Sequence, residues 1–135
     1  MKTGTLMAAA TFAVLVACGS VPSVLPLDTH PAIAASQPVI ELLGFPECPN
    51  TPVMRDQLAA ALSQLAPGWT FAETNQEQLP AGDLRRGYPT PTVLVNGRDL
   101  FGLPVPHATS LACRIYPGGM PDAAALAERL RAVTR

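Results

Sequence analysis

The chain has 135 residues and 48% hydrophobic content, enough for one ordinary domain with a real core and too little for two. Charged residues make up 14% and the formal net charge is -1, so there is no basic field of the kind that draws a protein onto nucleic acid. Its three cysteines, Cys18, Cys48 and Cys113, are too few for a disulfide scaffold and lack the two close pairs of a zinc site, so each needs its own account.

Lys2 is followed by an apolar stretch from Leu6 through Val16. Residues 1–17 are short for a spanning helix and have the layout of a secretory signal. The end of the run, Leu15-Val16-Ala17-Cys18-Gly19, resembles the bacterial lipobox. That resemblance implies removal of the signal peptide and lipid modification of Cys18, which would then carry acyl chains of the palmitate type and serve as an anchor, not a redox thiol. An ordinary signal peptide, with Cys18 a bystander, is the alternative. Several acyl chains, at about 0.8 kcal/mol per buried methylene, would hold the protein on a membrane almost permanently. The expected location is therefore the cell membrane or outer membrane, with the domain outside the cytoplasm.

Residues 18–37 alternate small residues with Pro22, Pro26 and Pro31 and show no helical or strand period. They read as a semi-extended tether, at about 3.1 Å per residue where polyproline-like. His30 falls in this tether and reads as a solvated side chain.

Residues 38–135 form the expected folded domain. Val39 to Phe45 is a short apolar run, read as a mostly buried strand. Met54, Leu58, Ala61, Leu62 and Leu65 then recur at steps of three and four, the stripe of a core-facing helix that Pro67 and Gly68 stop. Either Pro49 opens this helix with Cys48 as cap, or Pro52 opens it with Thr51 as cap. Trp69 to Glu73 suits a second strand, and the intervening helix implies a parallel crossover. The polar stretch from Asn75 to Tyr88 carries no firm structural signal. Thr92 to Val95 is strand-like, and Asn96-Gly97 before Arg98 to Phe101 predicts a hairpin, because both turn residues tolerate positive φ. Asp122 to Val133 closes the chain as a helix with a stripe through Leu126, Leu130 and Val133, acidic at its start and basic toward its end.

The resulting order is βαβ then ββα, an α/β domain with a four-stranded mixed sheet flanked by helices. It resembles a minimal, glutaredoxin-sized member of the thioredoxin-like superfamily, and the resemblance rests on residues as well as order. Cys48-Pro49-Asn50-Thr51 is similar to the family's Cys-x-x-Cys site between first strand and first helix, and Thr90-Pro91-Thr92 to the segment bearing its cis-proline. Gly44 to Asn50, Val95 to Asp99 and Leu111 to Tyr116 resemble a group of small bacterial thioredoxin-family proteins of poorly defined function.

A cysteine at a helix N-terminus has its pKa lowered, because unpaired backbone N–H groups and the helix dipole favour negative charge. Cys48 is placed to benefit, and the family resemblance makes it the nucleophile. Thr51 stands where the family's second cysteine usually sits, so no dithiol forms within the motif. Similarity to single-cysteine members then implies exchange through a mixed disulfide, with a small thiol or another cysteine resolving it. Thr51 is also read as a donor to the thiolate, with a plain helix cap as its alternative. Pro91 is expected to face substrate.

In the family topology a loop leaving after Phe101 starts at the edge where Cys48 lies. Cys113 in that loop is a candidate resolving thiol, with buried packing as its alternative. With His107 the two cysteines also suggest a soft-metal site for copper(I), mercury(II) or zinc, although a solvated histidine is the simpler reading. No resident cofactor is expected beyond glutathione or another low-molecular-weight thiol. Partners on this reading are envelope proteins or small thiols acting on a monomer, and a non-catalytic interaction module is the remaining alternative.

Overall fold

The computed structural model describes residues 37–135. The expected signal peptide, Cys18, His30 and all of the tether except Gln37 lie outside the described residues. Within the described part, β1 (Ile40–Gly44), α1 (Asn50–Leu65), β2 (Ala72–Asn75), β3 (Thr92–Val95), β4 (Arg98–Asp99) and α2 (Ala123–Val133) follow in that order. The sheet runs β2-β1-β3-β4, with β1 parallel to β2 and antiparallel to β3, and β4 antiparallel to β3. The domain is thus α/β with a four-stranded mixed sheet and two helices.

The period-two pattern of the central strands decides where each layer goes. Ile40 and Leu42 of β1, with Val93 and Val95 of β3, face Met54, Leu58 and Leu62 of α1 and Leu126 and Leu130 of α2 in one apolar cluster. Leu43 and Leu94 point the other way and pack with Tyr88 in a second, smaller cluster. Both helices therefore lie on one face of the sheet and contact each other, instead of one covering each face. The opposite face is closed by the segment between β2 and β3, which carries two short 3-10 turns, Gln76–Gln78 and Leu84–Gly87.

β1 is one residue shorter at each end than expected, and β2 and β4 differ more. β2 begins at Ala72, not Trp69, because the parallel ladder starts where Ala72 pairs with Glu41; Trp69 and Phe71 pack against the core without joining the ladder. Apolar content marks burial, and pairing is a separate matter. β4 stops at Asp99 because the Asp99 carboxylate accepts from the backbone N–H groups of Phe101 and Leu103, both at 2.9 Å, and bends the chain out of the sheet.

The predicted hairpin turn is present, with Asn96 at φ 50° and Gly97 at φ 78°. Asp122 caps α2 by accepting from the Ala125 N–H at 2.8 Å. The start of α1 follows neither predicted cap. Pro49 precedes the first helical residue in a helical conformation with no side-chain cap, and Thr51 lies inside the first turn. Among the described residues no helix is long and apolar enough to cross a membrane.

Candidate functional site

The first turn of α1 positions Cys48. Its N–H donates to the Phe45 carbonyl at 3.1 Å and its carbonyl accepts from Thr51 N–H at 3.2 Å, fixing a tight turn between β1 and α1. The residue is only 1% exposed, yet it belongs to neither apolar cluster. Its sulfur has two polar partners. As a thiol it donates to the Thr90 carbonyl at 3.4 Å, and the Cys113 thiol donates to it across 3.9 Å. Burial pushes the Cys48 pKa up, but the Asn50 backbone N–H and the Thr51, Thr90 and Cys113 side chains together outweigh it and hold the value below the ordinary one.

Cys113 has the opposite character. Its residue is exposed, so the packing alternative for it does not hold. Its hydrogen bond to Cys48, burial, and the negative charge on the neighbouring sulfur all push its pKa up. The buried sulfur is thus shifted toward the thiolate and the exposed one away from it.

Backbone pairing brings these two cysteines together. The Thr90 N–H donates to the Ala112 carbonyl at 2.8 Å, and the Arg114 N–H donates to the Thr90 carbonyl at 2.7 Å. This isolated parallel bridge between Thr90 and Cys113 uses both backbone polar groups of Thr90. The Thr90–Pro91 peptide bond is cis, Pro91 is buried, and its carbonyl accepts from the Tyr116 hydroxyl at 2.7 Å.

Thr51 is 6% exposed, and its hydroxyl oxygen has no hydrogen-bond partner while Cys48 is a thiol. Its side chain is one of the groups that lower the Cys48 pKa. Its methyl group lies against Gly44, where a Cβ would come within 2.5 Å of Thr51 Cγ2. The glycine at the end of β1 is therefore required by close approach of the helix, not by a special backbone conformation.

The two sulfurs border separate cavities. Cys48 lines a cleft of about 320 Å³ with Thr51, Arg55, Glu73, Asn75 and Gln78, where Arg55 and Glu73 form an ion pair. Cys113 lines a larger groove of about 970 Å³ with Phe101, Tyr116, Met120 and Arg129. Volumes in this range suit small-molecule ligands.

Of the sequence-predicted residues, Cys48, Thr51, Thr90 and Cys113 converge on one place, whereas Pro91, expected to face substrate, is buried and lines neither the Cys48 cleft nor the Cys113 groove, because its carbonyl is turned to the Tyr116 hydroxyl. His107 is exposed and does not join the cysteines: among the described residues no three His, Cys, Asp or Glu side chains cluster as a metal site would require. Sequence reasoning missed Asp99 and Arg114. The Arg114 guanidinium is buried, pairs with the Asp99 carboxylate through two nitrogens, and donates to Thr92 Oγ1 at 2.9 Å. An arginine immediately after a cysteine in an apolar stretch was the available signal. Comparison of the chain with family models, curated proteins and solved structures finds no match.

Proposed function

We propose that this chain is an envelope thiol–disulfide exchange protein with a thioredoxin-like domain, in which Cys48 is the nucleophile and Cys113 its resolving partner. The observation that carries this reading is the pair of sulfurs 3.9 Å apart with opposite ionisation tendencies. The thiolate is the attacking species in exchange, and here it is stabilised by an N–H at a helix start, a hydroxyl and a neighbouring thiol.

In the first step the Cys48 thiolate attacks one sulfur of a substrate disulfide RS–SR′. The substrate S–S bond breaks, R′S⁻ leaves and takes a proton from solvent, and a mixed disulfide Cys48–S–SR remains. Cys113 then loses its proton to solvent, attacks the Cys48 sulfur and expels RS⁻, which is protonated in turn. The substrate gains two electrons and two protons, and the protein dithiol becomes a disulfide. The same steps run backward when the protein disulfide meets a dithiol. The bonded sulfurs would close from 3.9 Å to about 2.05 Å, a small movement for an exposed cysteine.

The cleft beside Cys48 supports small thiols or disulfides as one substrate class, and the groove beside Cys113 leaves the exposed sulfur open to a protein. The lipobox-like segment supports a membrane-anchored protein with its domain outside the cytoplasm. Intact mass of the full chain after oxidised glutathione treatment, with peptide mapping to keep Cys18 apart, tests the reading. Wild type should lose two hydrogens between Cys48 and Cys113, Cys113→Ser should retain glutathione on Cys48, and Cys48→Ser should form neither product. Unmodified Cys48 in every sample, or soft-metal retention requiring both cysteines in place of exchange, would overturn it.

A further inference from the structure

Cys113 lies on a long excursion from the sheet, and most of residues 102–113 are exposed. An exposed thiol on such a segment would normally sample many positions, and the entropy of bringing it to a fixed partner would work against sulfur–sulfur bonding. The excursion is instead closed at its neck. The Asp99 carboxylate accepts from the N–H groups of Phe101 and Leu103 where the segment leaves, and from the guanidinium of Arg114 where it returns. One carboxylate therefore ties both ends.

Arg114 fixes the returning end through several contacts. Its backbone N–H pairs with Thr90, and its guanidinium donates to Thr92 in β3. The same group lies 4.4 Å from the Tyr116 ring centroid and 5.5 Å from that of Phe101, within the range of cation–π attraction. Tyr116 in turn is held by the Pro91 carbonyl. A buried ion pair is a costly way to stabilise a fold compared with apolar packing of the same volume. What it supplies is a fixed geometry, and the residue next to the fixed one is Cys113.

We infer that Arg114 is a positioning residue for the exchange reaction: with Asp99 it holds Cys113 over Cys48 and so sets how readily the two sulfurs join. The inference rests on the dithiol reading above. It assigns to Arg114 no contact with substrate, and acts through the effective concentration of one thiol at the other. A lysine keeps the charge that Asp99 needs but loses the planar fork and the stacking surface, so Arg114→Lys should preserve the fold without preserving the full geometry.

The test equilibrates the full chain with graded ratios of reduced and oxidised dithiothreitol and measures the fraction with a Cys48–Cys113 disulfide, for wild type, Arg114→Lys and Arg114→Gln. Far-ultraviolet circular dichroism on the same samples establishes that each is folded. Arg114→Gln should lower the equilibrium constant for disulfide formation at least tenfold, which for two electrons is about 30 mV, and Arg114→Lys should fall between it and wild type. If Arg114→Gln does not fold, Arg114→Lys decides alone, with a fall of at least threefold expected. A merely structural arginine would change unfolding without moving this constant, so an unchanged constant in the folded variants overturns the inference while leaving the exchange reading intact. A wild-type chain that forms no Cys48–Cys113 disulfide at any ratio defeats both.

Discussion

Thr51 packs its methyl group against the backbone of Gly44, with no room for a Cβ between them: that atom would lie 2.5 Å from Thr51 Cγ2 and 2.9 Å from its hydroxyl oxygen. The end of β1 and the first turn of α1 meet at this contact, and Cys48 lies in the turn that joins them. A methyl group on Gly44 must displace a β-branched side chain that is itself buried. Gly44→Ala should therefore destabilise the domain by about 1–3 kcal/mol. Thr51→Ala in the same chain should recover a large part of that loss, because it removes the clashing atoms. Urea unfolding of the two single variants and the double variant measures the coupling, and additive effects would show that the contact is unimportant.

Replacing Thr51 by valine separates chemistry from packing. Valine keeps the shape and removes a hydroxyl that has no partner in the thiol form, so stability of the reduced protein should change by less than about 1 kcal/mol. The hydroxyl helps to lower the Cys48 pKa, so the thiolate absorbance of Cys48 should develop at higher pH in Thr51→Val. An unshifted titration would remove Thr51 from the thiolate's surroundings.

Ionisation of the two cysteines also predicts how stability of the reduced protein varies with pH. Cys48 has a lowered folded-state pKa, so its contribution is present above the ordinary cysteine value and lost as pH falls through the folded value. Cys113 has a raised one, so its contribution is present below the ordinary value and lost as pH rises toward the folded value. The two slopes meet, and unfolding free energy should pass through a maximum near the ordinary cysteine value of 9.0. Cys48→Ser should abolish the rising limb and weaken the falling one, because the Cys113 shift is caused mainly by Cys48. In Cys113→Ala the Cys48 thiolate loses a donor, and its titration should move upward.

Gln76 provides a prediction on the other face of the sheet. It is fully buried, and its amide donates to the carbonyls of Arg85 at 2.6 Å and Tyr88 at 2.9 Å. Gln76→Leu would strand both acceptors and should cost about 1–3 kcal/mol in denaturant unfolding. Because the ordered segment leads directly to Thr90, the variant should also slow disulfide formation between Cys48 and Cys113. A normal unfolding curve would show that water replaces the amide without cost.

What proved legible in the sequence is what repeats locally. The stripe from Met54 to Leu65, the apolar run in Thr92 to Val95 and the Asn96-Gly97 turn each carry their signal within a few residues, and all three elements are present. The stretch from Asn75 to Tyr88 carried no signal because its order comes from single polar side chains, Gln76, Asp83 and Arg85, bonded to partners that no periodicity encodes. The cap expected from Thr51 is likewise absent: Thr51 lies inside the first turn of α1, packed against Gly44 at the end of β1, a contact between two elements that no local pattern announces.

By itself the sequence determined the α/β element order, the placing of Cys48 at the start of a helix, and the composition of the apolar layer, because hydrophobic spacing and turn chemistry act over short range. Only the tertiary structure decided that both helices share one face, that Cys113 comes to Cys48 across a separation of 65 residues, and that a buried Asp99–Arg114 pair holds it there. Those outcomes depend on which distant backbone edges and charges meet, and the free energy of such meetings is set by burial and geometry that no local pattern of residues contains.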